Sequence, residues 1–168
     1  MFVLANQVLP LLEGMRSAGF VVWIAGGWAV DAALGRQTRT HGDLDLAVDR
    51  IQLESLTQFL CDAGFRMTID WLPARAEMTA EDGRRIDLHP VEFCADGSGI
   101  QAGLDGRPEF RYATDAFSTG TIDGTSVPCL SIEQQLLFRE GYELRDVDRH
   151  DLPLLTGLQV SSDKPTLA

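Results

Sequence analysis

The sequence has no excess of basic residues. Lys and Arg number 14 against 25 Asp and Glu, and the formal net charge is −11. Affinity for a nucleic-acid backbone comes from clustered Lys and Arg, so this balance argues against a general polyanion binder. It suits a cationic small molecule or metal ions as partners. No apolar run reaches about 18 residues, so nothing reads as a membrane span. The opening stretch MFVLANQVLP lacks a basic n-region, so no secretory leader is expected. Cysteine is scarce: Cys61, Cys94 and Cys129 form neither a CxxC metal pattern nor an even disulfide set. Small buried thiols in a reducing cytoplasm are expected. The length, 168 residues, fits one domain or two small lobes packed as one unit.

Apolar periodicity of both kinds is present. Leu4, Val8, Leu11, Leu12 and Met15 form one stripe of a helix over 4–18, which Pro10 is expected to bend or delay and Gly19 to stop. The run FVVWIA (20–25) reads as a buried strand, and the short helix WAVDAAL that follows Gly26-Gly27 closes at Gly35. IQLESLTQFLCDA (51–63) predicts an amphipathic helix, with Ile51, Leu53, Leu56, Phe59 and Leu60 as its apolar members. FRMTIDW predicts a strand. Residues 75–93 predict a hairpin turning at Asp82-Gly83. Residues 94–109 read as a long polar loop, and FSTGTIDGTSVP as a further hairpin at Asp123-Gly124. Ser131 and Gln134 have capping-box spacing at the head of a helix, and DVDRHDLPLLTGL gives a second helical segment. The fold class is therefore α+β, with a sheet-bearing core over 1–128 and a helical C-terminal element over 129–168 packed on it.

Within HGDLDLAVD (41–49), Leu44, Leu46 and Val48 alternate with Asp43, Asp45 and Ala47. That is a strand with one buried face, and the two aspartates share the other. Two strand steps of about 3.3 Å hold them roughly 7 Å apart at the backbone. Two anions that close repel unless a cation sits between them. Asn at either position is thus expected to leave cation-free stability unchanged or slightly raised. Farther on, Ile86 and Leu88 share one strand face while Asp87 and His89 share the other. A strand ending in Gly26-Gly27 lets backbone N–H groups approach a phosphate at a helix N-terminus. Three carboxylates can hold one or two Mg²⁺ ions, which take oxygen ligands and substrate phosphates. The joint order of these parts suits nucleotidyl transfer better than any part alone.

GGWAVDAALGRQTRTHGDLDL resembles the nucleotidyltransferase signature of antibiotic-modifying enzymes in the DNA polymerase β superfamily. DWLPARAEM, IDLHPV and VPCLSIEQQLLFREGYELRDVDRHDL extend the likeness to the small lincosamide nucleotidyltransferases, from about Val22 to Leu155. The 2''-aminoglycoside enzymes are similar mainly in the first third. Trp28 departs from the superfamily's usual Ser after the glycine pair, which leaves more of the phosphate contact to backbone amides.

The resemblance implies a nucleotidyltransferase-like mixed sheet with flanking helices. It also implies a nucleoside triphosphate donor such as ATP, Mg²⁺, and transfer of a nucleoside monophosphate to a hydroxyl of a lincosamide antibiotic. An aminoglycoside or a natural amino-sugar metabolite is the alternative acceptor, and an antitoxin-like partner of the same fold is the alternative of another class. Asp43, Asp45 and Asp87 match the metal-binding carboxylates, and Asp87 is also the candidate general base. Gly26, Gly27, Trp28, Arg39 and His41 are candidates for the triphosphate, and Tyr142 for stacking on base or ribose. Trp71, Arg75, Glu77, His89 and Glu92 are candidates for the acceptor pocket. Arg145, Asp148 and Asp151 read as surface or capping residues. The oligomeric state stays open, a homodimer included.

Overall fold

The structure, a computed structural model, describes residues 4–140 and 143–162. It is mixed α+β, in this order: α1 (Ala5–Ser17), β1 (Val22–Ile24), α2 (Gly26–Leu34), β2 (Leu44–Asp49), α3 (Leu53–Asp62), β3 (Phe65–Trp71), β4 (Arg75–Ala80), β5 (Arg85–Phe93), β6 (Gly99–Gln101), β7 (Phe110–Tyr112), β8 (Phe117–Ile122), β9 (Thr125–Leu130), α4 (Ile132–Leu137) and α5 (Asp146–Ser162). The sheet runs β3-β4-β5-β2-β1-β9-β8, with β6 and β7 attached beyond β5. The β2–β5 and β1–β9 pairs are parallel and the remaining neighbours antiparallel.

Strand alternation separates two kinds of face. Leu44, Leu46, Val48, Ile86 and Leu88 join Val8, Leu12 and Met15 of α1 and Leu56 and Leu60 of α3 in the main core. Fully burying each such side chain contributes about 1.5–3 kcal/mol. Ala47, Val91, Tyr112 and Leu130 belong to a second cluster, packed with Trp23, Phe93, Phe117 and Phe138. Asp45 and Asp87 have the strand parity of Ala47 and Val91, so the aromatic cluster and the acidic residues occupy the same face. The parallel register sets Asp45 directly beside Asp87, and the next pair sets Asp87 beside Glu77. Adjacent strands lie about 4.8 Å apart, so three acids from distant parts of the chain form one row.

Several expectations need correction. α1 runs through Pro10, which lies on the exposed side, where water can take up the carbonyl of Asn6 that loses its intrahelical partner. Ile51 is 89 % exposed and is no core member. A 3₁₀ turn over Arg50–Gln52, capped by Asp49 accepting from the Ile51 N–H at 2.9 Å, precedes α3 and turns Ile51 outward. The stretch 94–109 contains β6 and a 3₁₀ turn rather than loop alone. Ser131 accepts from the Gln134 N–H at 3.3 Å, but the Gln134 side chain does not reach back. It bonds the Ala113 N–H and the Arg111 carbonyl instead, so half of the capping box is traded for a tie to the neighbouring segment. β9 carries the sheet past residue 128 to Leu130. Of the thiols only Cys129 is buried, and Cys61 and Cys94 are exposed. No helix among the described residues is long and apolar enough to cross a membrane.

Candidate active site

The acid row is the centre of the site. Asp45, Asp87 and His89 bring one ligand atom each to within 4.8 Å of one another. Asp45 Oδ1 accepts from His89 Nε2 at 3.0 Å. Arg75 Nη2 stands 3.5 Å from Asp87 Oδ2, while Asp87 Oδ1 is buried with no hydrogen-bond partner. Such an atom is costly to leave dry and unpaired, and a cation would satisfy it. Two hard carboxylates, one of them with an unsatisfied oxygen, suit Mg²⁺, so the residues fit the ion that the resemblance implies. Asp43 precedes β2 and stands outside that group of three. Its carboxylate lies 3.8 Å from Arg85 Nη2, and Arg85 Nη1 also reaches Glu77 at 3.6 Å.

The charges are unequal in their effects. Burial pushes the Asp45 carboxyl up, but the hydrogen bond and charge of His89, with Arg75 and Arg145, outweigh it and hold the group below its usual range. Burial raises Asp87 to about 6, aided by the charge of Asp45 and opposed by Arg75 and His89. Burial and then Asp45 also raise Asp43, against Arg85 and Arg39. The repulsion exerted by Asp45 therefore falls on Asp43 and Asp87.

The glycine pair is required by close approach as well as by the turn. Gly26 has φ 58°, and a Cβ there would sit 2.0 Å from Asp45 Oδ2. A Cβ on Gly27 would meet Arg39 Nη2 at 2.3 Å and His41 Nδ1 at 2.5 Å. Gly26→Ala is expected to cost about 1–2 kcal/mol for the left-handed backbone. It is also expected to cost roughly 10²-fold in turnover, because Asp45 must move. Gly35 has φ 67° with nothing near its Cβ position, so Gly35→Ala should lose stability only. Melting curves and steady-state rates on the two variants check this; wild-type turnover in Gly26→Ala would show that the carboxylate has room to shift.

The remaining candidates divide. Trp28 is buried with its ring 4.5 Å from that of His41, so its side chain serves the core. His41 is buried too, and its Nε2 pairs with Asp31, whose Oδ1 accepts from the Thr38 N–H and hydroxyl. That latch closes the loop after α2. Arg39 makes two 3.1 Å bonds to Asp151. Asp151 also accepts from Arg139 at 3.3 Å, and Asp148 from Arg145 at 2.8 and 3.0 Å. Asp148 and Asp151 are each 1 % exposed, so they are buried counter-charges and not surface residues. They can be buried because Arg39, Arg139 and Arg145 surround them. Trp71 is 44 % exposed and lies outside the core, and the Arg75 guanidinium sits 4.9 Å from its ring centroid. Glu77 stands in the acid row, taking the Thr68 hydroxyl at 2.8 Å. Glu92 is not brought to the site: it has the strand parity of Leu88 and pairs with Arg50 at 2.6 Å. Tyr142 lies outside the described residues. Sequence reading missed Asp31, Arg85 and Gln101, which becomes a neighbour of His89 only through β6.

Comparison with known proteins gives a consistent picture. The family model of the aminoglycoside-2''-adenylyltransferases matches residues 7–155. A lincosamide resistance protein of Staphylococcus haemolyticus is 34 % identical over 151 residues, covering 90 % of this chain and 91 % of that one. A 2''-aminoglycoside nucleotidyltransferase of Escherichia coli is 35 % identical over 106 residues, covering 55 % of this chain and 60 % of that one. Among solved structures, the lincosamide antibiotic adenylyltransferase LnuA, lincomycin-bound, superposes with a TM-score of 0.84 at 32 % identity, over 94 % of this chain and 99 % of that one. The signature loop, the acid row and this likeness along nearly the whole chain place the protein in the aminoglycoside-2''-adenylyltransferase family of antibiotic nucleotidyltransferases.

Proposed function

We propose that this enzyme transfers the nucleoside monophosphate of a triphosphate, ATP first, to a hydroxyl of a lincosamide antibiotic. The observation that carries the chemistry is the parallel-register pair Asp45–Asp87, with Asp45 against Gly26 and one Asp87 oxygen buried and unpaired. The acceptor is chosen on the likeness to the lincosamide resistance protein, which covers 90 % of the chain, whereas the aminoglycoside relative covers 55 % of it.

Asp45 and Asp87, with Asp43 at their edge, would hold Mg²⁺, which when bound offsets charge on the triphosphate and on the leaving pyrophosphate. The amides at the head of α2 and the Arg39 guanidinium that lies against Gly27 suit phosphate oxygens. Asp87 takes the acceptor's proton as the hydroxyl oxygen bonds to the α-phosphorus and the bond to pyrophosphate breaks. Without an ion, burial holds Asp87 near 6; a bound cation would lower it, so at neutral pH the carboxylate is in the unprotonated form a base needs. Trp71 and Arg75, which adjoin Asp87, would contact the acceptor.

Purified protein with Mg²⁺ and ATP is expected to release pyrophosphate with lincomycin or clindamycin, and to yield an adenylylated product by mass spectrometry. Turnover with kanamycin or tobramycin alone would move the acceptor to the second reading, which the net charge of −11 also suits. Turnover with neither drug class would overturn both.

A further inference from the structure

A hydrogen-bonded chain runs from the aromatic cluster into the acid row. The buried Tyr112 hydroxyl donates to Gln101 Oε1 at 2.7 Å. Burial and then the Asp45 charge push the phenol above its usual range, so it stays a donor. Gln101, 6 % exposed, donates through Nε2 to the Ala74 carbonyl at 2.9 Å and lies 3.2 Å from His89 Nδ1. His89 Nε2 meets Asp45 Oδ1 at 3.0 Å.

The direction of each bond follows from its ends. A backbone carbonyl only accepts, so the amide group facing Ala74 must be the nitrogen. That nitrogen has two hydrogens, and the second faces His89 Nδ1. Nδ1 must then offer a lone pair, and the neutral ring carries its proton on Nε2. A carboxylate at Nε2 wants that proton. Both ends of the chain therefore agree on one tautomer. A histidine that ligates a metal has the opposite arrangement: its second nitrogen donates to a carboxylate or carbonyl and leaves the first free to bind. Here the second nitrogen meets a donor.

We propose that Gln101 is a positioning residue that locks His89 as its Nε2–H tautomer, so that His89 orients the Asp45 carboxylate and withholds its lone pair from the ion. Of the three clustered groups, only the carboxylates then ligate, and the site is an oxygen site. Oxygen ligands favour Mg²⁺, while an imidazole nitrogen would draw borderline metals such as Co²⁺ and Zn²⁺. The role in ion selectivity rests on the function proposed above. The tautomer does not, and it can be read on metal-free protein.

The test is a long-range ¹H–¹⁵N spectrum of the full chain in EDTA at a pH where the rings are neutral. The protein has three histidines, and His89→Asn identifies the signal of interest. Wild type is expected to show Nε2 protonated and Nδ1 bare. Gln101→Glu supplies an acceptor and is expected to move the proton to Nδ1; Gln101→Leu, a second variant should the first not fold, is expected to give a mixture. Calorimetric titration then compares Co²⁺ with Mg²⁺, and the affinity ratio is expected to shift toward Co²⁺ by about 10–100-fold in Gln101→Glu, the usual reach of an outer partner. The ratio cancels the extra negative charge. A wild-type signal with Nδ1 protonated, alone or with Nε2, overturns the proposal, as does an unchanged tautomer in folded variants. The expected tautomers with an unchanged ratio overturn the selectivity role. Failure of lincomycin transfer with the expected spectra would overturn the function proposed and leave the tautomer lock standing.

Discussion

Asp45→Asn is expected to abolish transfer, with a loss on the order of 10³ or more, well above the ~10–100-fold that outer partners of a metal site cost. Asp45 sits at the β2 end of the row, beside Asp87 in register, against Gly26 and bonded to His89. Asn there offers the cation a neutral oxygen in place of a charged one. The fold should persist, but not for the reason the sequence suggests. Relief of repulsion is expected from the D-x-D spacing alone. Yet Asp45 is held below its usual range by His89, Arg75 and Arg145 in spite of its burial. A depressed carboxylate stabilises the fold above the unfolded value of about 3.9, and that stability is lost as pH falls through the folded value. Asp45→Asn should therefore melt slightly lower than wild type in EDTA at neutral pH, and should lose the added stability that Mg²⁺–ATP gives wild type. Equal stabilisation of both proteins by Mg²⁺–ATP would remove Asp45 from the ion site.

Asp87→Asn is expected to lose turnover by about 10²–10⁴, the usual worth of a general base. Its stability should change in the other direction. Asp87 is raised to about 6 by burial first and then by Asp45, so in the absence of an ion its charged form is the costly one. With the folded value above the unfolded one, the folded chain holds the proton more tightly between about pH 4 and 6. Stability contributed by the protonated acid is present below that window and is lost as pH rises through it. In EDTA, wild type should lose melting temperature across this range relative to Asp87→Asn, which should be the more stable of the two at pH 7. Parallel curves would show that the buried oxygen carries no such cost. Nucleotide affinity separates the two roles: near-normal Mg²⁺–ATP binding assigns Asp87 mainly as base, and weakened binding mainly as ligand.

Much of this site is legible in the sequence because its logic is local. Alternation in Leu44–Val48 and Ile86–His89 gives the strand faces, and the glycine pair gives the approach to Asp45. What local patterns cannot carry is pairing. Nothing in GRQTRT tells that Arg39 is held by Asp151, 112 residues away, and isolated acids in a helix read as solvated. Glu92 and His89 lie an odd number of strand steps apart and so on opposite faces, and grouping both in one pocket could not survive the pleat. Gln101 sits in a Gly-rich stretch whose composition reads as loop. Only the pairing of β6 with β5 brings its amide to His89.

The parallel pairing of β1 with β9 has a consequence for how the chain is made. Ile24 lies beside Cys129, so the inner strand that leads into the Gly26-Gly27 turn waits for a partner synthesised about a hundred residues later. Until then the β1 edge is apolar and unpaired, an invitation to the wrong strand. Synthesis at about 5–20 residues per second leaves that edge open for several seconds on the ribosome. Arg39 waits longer still, for Asp151. A chain released before β9 would carry every residue of the nucleotidyltransferase signature with an unfinished edge beside it, and aggregation rather than partial activity is its expected fate.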